Sequence, residues 1–190
     1  EQLADDIRTS GGEPVGIVRL GVLPSSILLF VGPLLKEGAK RYPRVQLHFT
    51  EGSSVQLEDW LNQGRLDISL LLREDDRESL DEPLLRSVPL SLIGPVGDPI
   101  TRGPEIEFDR LADLPLVLPG EPHLLRARLD ALALQRGIRL KVQIEADSIH
   151  LQEELVAAGG GYAIVAAREL PPGETVRFSA ARIVNPTLTR

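Results

Sequence analysis

The chain has 190 residues, enough to bury a substantial core as one domain or two small ones, and its 42% apolar and 26% charged content is ordinary for a globular protein. With 21 Lys plus Arg against 28 Asp plus Glu, a net charge of -7 and no basic cluster, it lacks the cationic surface that duplex nucleic acid needs, and the absence of cysteine excludes disulfides and thiolate sites. No run approaches the roughly 18 uninterrupted apolar residues of a membrane helix, and the polar opening EQLADDIRTS is no secretory signal, so a cytoplasmic location is expected.

The absence of methionine and the start on Glu1 lead us to expect a piece of a longer protein. Leu3 and Ile7 form a thin apolar seam before Ser10-Gly11-Gly12-Glu13-Pro14, read as the end of a helix and a connector. The stretch from Gly16 to Arg41 organises the rest of the chain. A largely β-branched apolar run (Ile17, Val18 and Val22, with Leu20) passes through Pro24-Ser25-Ser26 into an apolar segment of helical length, with Gly32-Pro33 inside it as a kink or a restart. Apolar residues at every second position from Val45 to Thr50 predict a half-buried strand. Glu51-Gly52-Ser53-Ser54 opens a helix with Leu57, Trp60 and Leu61 on one face, and Ser53 with Gln56 has capping-box spacing. Leu66 to Leu72 reads as a short parallel strand covered on both faces.

After the acidic loop at residues 73–83, Leu84 to Ile93 is expected as a strand, and the Gly- and Pro-rich run from Gly94 to Pro104 as a domain crossing. A second βα series comes next. Leu116-Val117-Leu118 leads through Pro119-Gly120-Glu121-Pro122-His123 into a helix, with Pro122 placed in its first turn and Gly137 as its stop. Val142 to Glu145 leads through Asp147-Ser148 into another helix, ended by Gly159-Gly160-Gly161. Tyr162–Val165, Val176–Phe178 and Arg182–Val184 read as strands, with a turn at Pro171-Pro172-Gly173.

Chemistry narrows the function. His48, His123 and His150 are far apart and none has a metal-site spacing, no G-x-S-x-G elbow surrounds the serines, and no phosphate-binding glycine pattern is present, so no enzyme, metal or cofactor is expected. What remains is four strand-to-helix junctions: Ser25-Ser26, Ser53-Ser54, Pro119-Gly120-Glu121 and Asp147-Ser148. Each alone is explained by an N-cap, but two pairs from two α/β halves fit a binding site lined by helix N-termini and hydroxyls.

In their order these junctions resemble the effector-binding domain of LysR-type transcriptional regulators. The matching stretches are GIVRLGVLPSS with GPLL and KRYPRVQL, EGSS with WLNQGRLDISLLL, ADLPLVLPGEPH, and ELVAAGGGYAIV, and the resemblance they carry extends over residues 16–190. The resemblance implies an α/β fold of two Rossmann-like subdomains with periplasmic-binding-protein type II architecture, joined by two crossing strands. It places the end of a linker helix and connector at 1–14, subdomain I at 15–90, subdomain II at 91–182 and a return crossing at 183–190. It implies a small-molecule effector between the subdomains, a dimer or tetramer, and DNA contact only through an N-terminal helix-turn-helix absent from this chain. Ser25, Ser26 and Ser53 match effector contacts of the first subdomain, while Pro119, Gly120 and His123 fall in the contact loop of the second. Ser148 is placed with them. Leu72 stands where some members carry a polar or basic residue, which argues against a strongly anionic effector. Ala166-Ala167 replaces a proline common after the glycine-rich turn, and the final strand and helix of the first subdomain are not found. The alternative reading is a solute-binding protein of a transporter using the same cleft.

Overall fold

The computed structural model describes residues 13–73, 85–166 and 177–190, which divide into two compact units with the boundary between Leu72 and Arg73. The expected linker end, the acidic loop from residue 74 on and the Pro171-Pro172-Gly173 turn lie outside the described residues. Among those described, no helix is long and apolar enough to cross a membrane.

Among the described residues the first unit forms a parallel three-stranded sheet in the order β2-β1-β3, made of β1 (Gly16–Val22), β2 (Val45–Glu51) and β3 (Ile68–Ser69). Helix α1 (Ile27–Arg41) connects β1 to β2 and α2 (Ser54–Asn62) connects β2 to β3. The period of two in β1 sends Val18 and Leu20 to one face and Gly21 to the other. Gly21 meets Leu57 of α2 and Leu66 there, whereas Gly38 of α1 comes against Leu47 of β2, so the two helices cover opposite faces. Pro33 lies within α1, which runs on past it to Arg41, so Gly32-Pro33 is no restart.

The segment from Leu66 to Leu72 differs from expectation. Its ladder is only Ile68–Ser69, and Ile68 is 55% exposed. Asp67 N–H bonds Arg19 O and Leu70 N–H bonds Gly21 O, which ties the segment to β1 on one side. No strand pairs with its other side among the described residues, so it is an edge and not a strand buried on both faces.

Among the described residues the second unit forms a six-stranded mixed sheet in the order β5-β9-β4-β8-β6-β7. Its strands are β4 (Leu90–Pro95), β5 (Glu105–Glu107), β6 (Pro115–Leu118), β7 (Lys141–Glu145), β8 (Tyr162–Ala166) and β9 (Phe178–Val184). Helix α3 (Leu124–Gln135) lies between β6 and β7 in the chain, and α4 (Ile149–Ala157) lies between β7 and β8. Alternation divides the core. Leu92, Leu116, Leu118 and Ile164 pack with Leu125 and Leu129 of α3 and with Phe108 and Leu111 of a 3-10 segment, while Ile93, Val117 and Ala163 pack with Val156 of α4. Each such side chain contributes roughly 1.5–3 kcal/mol when fully buried.

Residues 94–104, read as a domain crossing, lie within the second unit, where Thr101 is 1% exposed and its hydroxyl is 2.6 Å from that of Ser179. Residues 85–89, read as the start of the strand ending at Ile93, precede β4. Val88 and Arg190 exchange both backbone hydrogen bonds, at 2.7 and 2.8 Å, so the segment before β4 pairs with the end of the stretch 183–190.

Tyr162 Oη donates to Asp98 Oδ2 at 2.9 Å. Burial, with this bond and the Asp98 charge, pushes its pKa up to about 12. The fold thus favours the neutral phenol, a contribution present below the unfolded pKa near 10 and lost as pH rises toward 12. Denaturant midpoints of the native chain should fall across that interval more steeply than those of Tyr162→Phe. Equal slopes would refute this.

Candidate functional site

In the first unit, β1 ends in a short 3-10 turn, Pro24–Ser26. Ser26 is 8% exposed, and its hydroxyl donates to Leu23 O (2.8 Å) and accepts from Leu23 N–H (3.1 Å). It is committed to closing the turn. Ser25 is half-buried and makes no side-chain hydrogen bond among the described residues, so its hydroxyl is available. Ser53 caps α2 in the expected box: its Oγ accepts from Gln56 N–H (3.3 Å) while Gln56 Oε1 accepts from Ser53 N–H (3.0 Å). Ser54 Oγ accepts from Leu72 N–H at 3.2 Å, joining the start of α2 to the segment after β3. The Leu72 side chain packs with Leu23, Leu57 and Leu66, so only its backbone is polar here.

In the second unit, β6 and β7 are parallel neighbours, so their carboxyl ends and the helices after them open side by side. Their pairing continues past the strands through Ala146 N–H to Leu118 O (2.9 Å). Pro119 is buried and Gly120 half-buried, and Gly120 N–H donates to Asp147 Oδ1 at 3.0 Å. Pro122 stands before the helix and not in its first turn, because His123 is the cap: its Nδ1 accepts from Leu125 N–H at 3.1 Å. Ser148 caps α4 through its backbone geometry without a side-chain cap bond. It is exposed and its hydroxyl is uncommitted among the described residues.

Two further residues shape this junction. Arg126 donates through Nη1 to Pro119 O (3.2 Å) and Glu145 Oε1 (2.9 Å), and through Nε to Asp130 Oδ2 (2.7 Å). Burial pulls its pKa down, but hydrogen bonds to Glu145 and Asp130 more than offset this and leave it raised. Gln152 is 3% exposed and donates through Nε2 to Ala146 O at 2.6 Å. Both lie at spacings the sequence displays, Arg126 four residues before Asp130 and Gln152 four residues before Val156.

The arrangement offers hydroxyls, backbone N–H groups and helix N-termini, with exposed carboxylates at Glu145 and Asp147 and Arg126 already paired. In each unit taken by itself, groups of this kind are suited to hydrogen-bonding a small polar molecule. Among the described residues no three or more His, Asp or Glu side chains gather as a metal would require.

A family model described as the LysR substrate binding domain matches residues 11–189. The HTH-type transcriptional regulator TtuA of Agrobacterium vitis is 28% identical over 170 residues, covering 87% of this chain and 55% of that protein. The chain spans about half the length of the curated relatives it matches. Among solved structures, the effector binding domain of QuiR in complex with shikimate superposes with a TM-score of 0.77 at 18% identity, covering 93% of this chain and 85% of that one. HinK, a LysR family transcriptional regulator from Pseudomonas aeruginosa, gives 0.75 at 18% identity and covers 100% and 66%.

Proposed function

The chain belongs to the LysR substrate binding domain family, and from that premise we propose that it is the ligand-sensing part of a DNA-binding transcription factor, holding a small-molecule effector at the strand-end junctions that each unit presents. The observation that carries the reading is chemical. Ser25 and Ser148 keep uncommitted hydroxyls at strand-to-helix junctions, next to neighbours committed to building those junctions. Among the sequence candidates Ser25 and Ser148 face the ligand with uncommitted hydroxyls and Ser53 with the hydroxyl proton its cap leaves over, while Ser26, Leu72, Pro119, Gly120 and His123 shape the walls. The relatives named as transcriptional regulators favour this reading over a transport protein.

With carboxylates at Glu121, Glu145 and Asp147 and Arg126 neutralised, the ligand is neutral or a monoacid carrying hydroxyl or amide groups. Shikimate, the ligand of the QuiR domain, is a monoacid of this kind and a fitting first probe in a thermal-shift screen of small polar acids and amides. Each hydrogen bond to such a ligand contributes roughly 0.5–1.5 kcal/mol. Ser25→Ala and Ser53→Ala should therefore weaken binding of the screen's best ligand by several-fold to tenfold. Ser26→Ala should instead lower stability by about 1 kcal/mol. If Ser25→Ala left affinity unchanged in calorimetry, the assignment of that wall would fall.

Signal output is assigned to a dimer or tetramer in which effector binding shifts the arrangement of subunits, and DNA contact to a helix-turn-helix outside this chain. The support is in α1, where Leu29, Phe30 and Val31 are half-buried and Leu34 and Leu35 are 40% and 52% exposed. An apolar row of this length on a surface helix favours association. Leu35→Glu should shift sedimentation toward monomer at tens of micromolar without lowering the unfolding midpoint. An unchanged assembly state would exclude α1 as the interface.

A further inference from the structure

We infer that Gln152 is a positioning residue for the ligand junction of the second unit, acting through the Ala146 carbonyl to hold the Asp147 carboxylate on the Gly120 amide. The inference rests on the functional reading above. The Gln152 side chain is almost fully buried, at 3% exposure, on a helix whose inward neighbour Val156 is apolar. A buried amide is retained without penalty only where it is hydrogen-bonded, and its partner, at 2.6 Å, is the carbonyl of the residue just before Asp147. The same residue's amide is already tied to Leu118 O at 2.9 Å, so both polar groups of Ala146 are fixed, one by β6 and one by α4.

Fixing Ala146 fixes where Asp147 begins. Its carboxylate then reaches across 27 positions of chain to Gly120 N–H at 3.0 Å and joins the two strand exits. On the other side Arg126 holds Pro119 O, so residues 119–120 and 146–147 are braced from α3 and α4 respectively. A ligand that contacts Gly120 or Ser148 meets a surface whose spacing is set from behind by Gln152.

The test is amide hydrogen exchange at Gly120, read by NMR on the chain as it stands, alongside calorimetry with shikimate. Gln152→Met keeps the side-chain volume and removes the donor. Gly120 should exchange about tenfold faster in it, as in the exposed-site variant Asp147→Ala, while β8 amides keep their native protection. Gln152→Asn, one methylene too short to reach Ala146 O, serves as the second variant and should behave the same if the methionine chain does not fold. Gly120 exchange that stays native in the folded Gln152 variant while rising in Asp147→Ala would overturn the inference. Faster exchange at Gly120 with no binding of shikimate to the native chain would uphold the positioning role and count against the ligand class instead.

Discussion

Gly161→Ala should destabilise the second unit by roughly 3 kcal/mol or more, enough to unfold a marginal domain. Gly161 follows the turn that ends α4 and delivers the chain into β8, with φ at +131°, where a side chain is strained in any surroundings. A Cβ there would lie 2.3 Å from Pro115 O, at the start of the neighbouring strand β6, and that oxygen is backbone and cannot swing aside. The consequence reaches the site because Leu116 and Tyr162, the next residues on, are register partners, and β6 runs on to Pro119 and Gly120. Gly32→Ala is the matching control. Apart from its chain neighbours and the helix's own backbone, no atom lies within 4 Å of its Cβ position in α1, so the change should alter stability by no more than about 0.5–1 kcal/mol. Urea titration of both variants decides the matter, and a loss below about 1 kcal/mol in Gly161→Ala would show that the strand pair yields.

The glycine-rich turn also marks what the sequence makes legible. Helix ends and their caps are local: Ser53 with Gln56, the positive-φ stops at Gly64 and Gly137, and the exit at Gly159 to Gly161 are all where the residue types place them. Strand existence is nearly as local, since the alternation at Lys141–Glu145 and the apolar run at Pro115–Leu118 need no partner to be seen. What fails is whatever depends on a distant neighbour. Leu66–Leu72 is apolar enough for a strand covered on both faces, yet pairing on one side only makes it a two-residue edge. Glu105–Glu107 has acidic ends and becomes a strand only because it pairs with β9. In the site the same division holds. The junction serines are visible from their position after strands, but which hydroxyl is spent depends on geometry: adjacent Ser25 and Ser26 have opposite fates because only Ser26 reaches back to Leu23. Arg126 and Gln152 act through backbone carbonyls 6 or 7 positions away, a relation that side-chain identity does not announce.

Among the described residues the buried cluster beneath α2 in the first unit is small, and this makes Leu57→Ala the second large expected effect. The buried cluster there is Leu23, Leu57 and Leu66, backed by Trp60, Leu61, Leu71 and Leu72, and Leu57 alone is fully excluded from solvent. A buried Leu→Ala change costs about 2–5 kcal/mol, the transfer term plus a cavity term. In a cluster of this size few neighbours are placed to fill the gap, so the upper half of that range is expected. Leu57 also sits under both junctions of the unit. It packs where a Cβ on Gly21 would lie 2.9 Å from its Cδ2, and it lies within 3.3–3.4 Å of the corresponding position at Gly52, so it supports the end of β1 before Ser25 and the turn before Ser53 together. Leu57→Ala should accordingly loosen both serine junctions and abolish binding of the screen's best ligand, even at temperatures where the second unit stays folded. Amide exchange resolved by segment reads this directly. Protection should collapse in β1, β2 and α2 while β4, β6 and β8 keep theirs. Equal loss of protection in both units, or native ligand affinity in the variant, would show that this small cluster is not what holds the serine junctions in place.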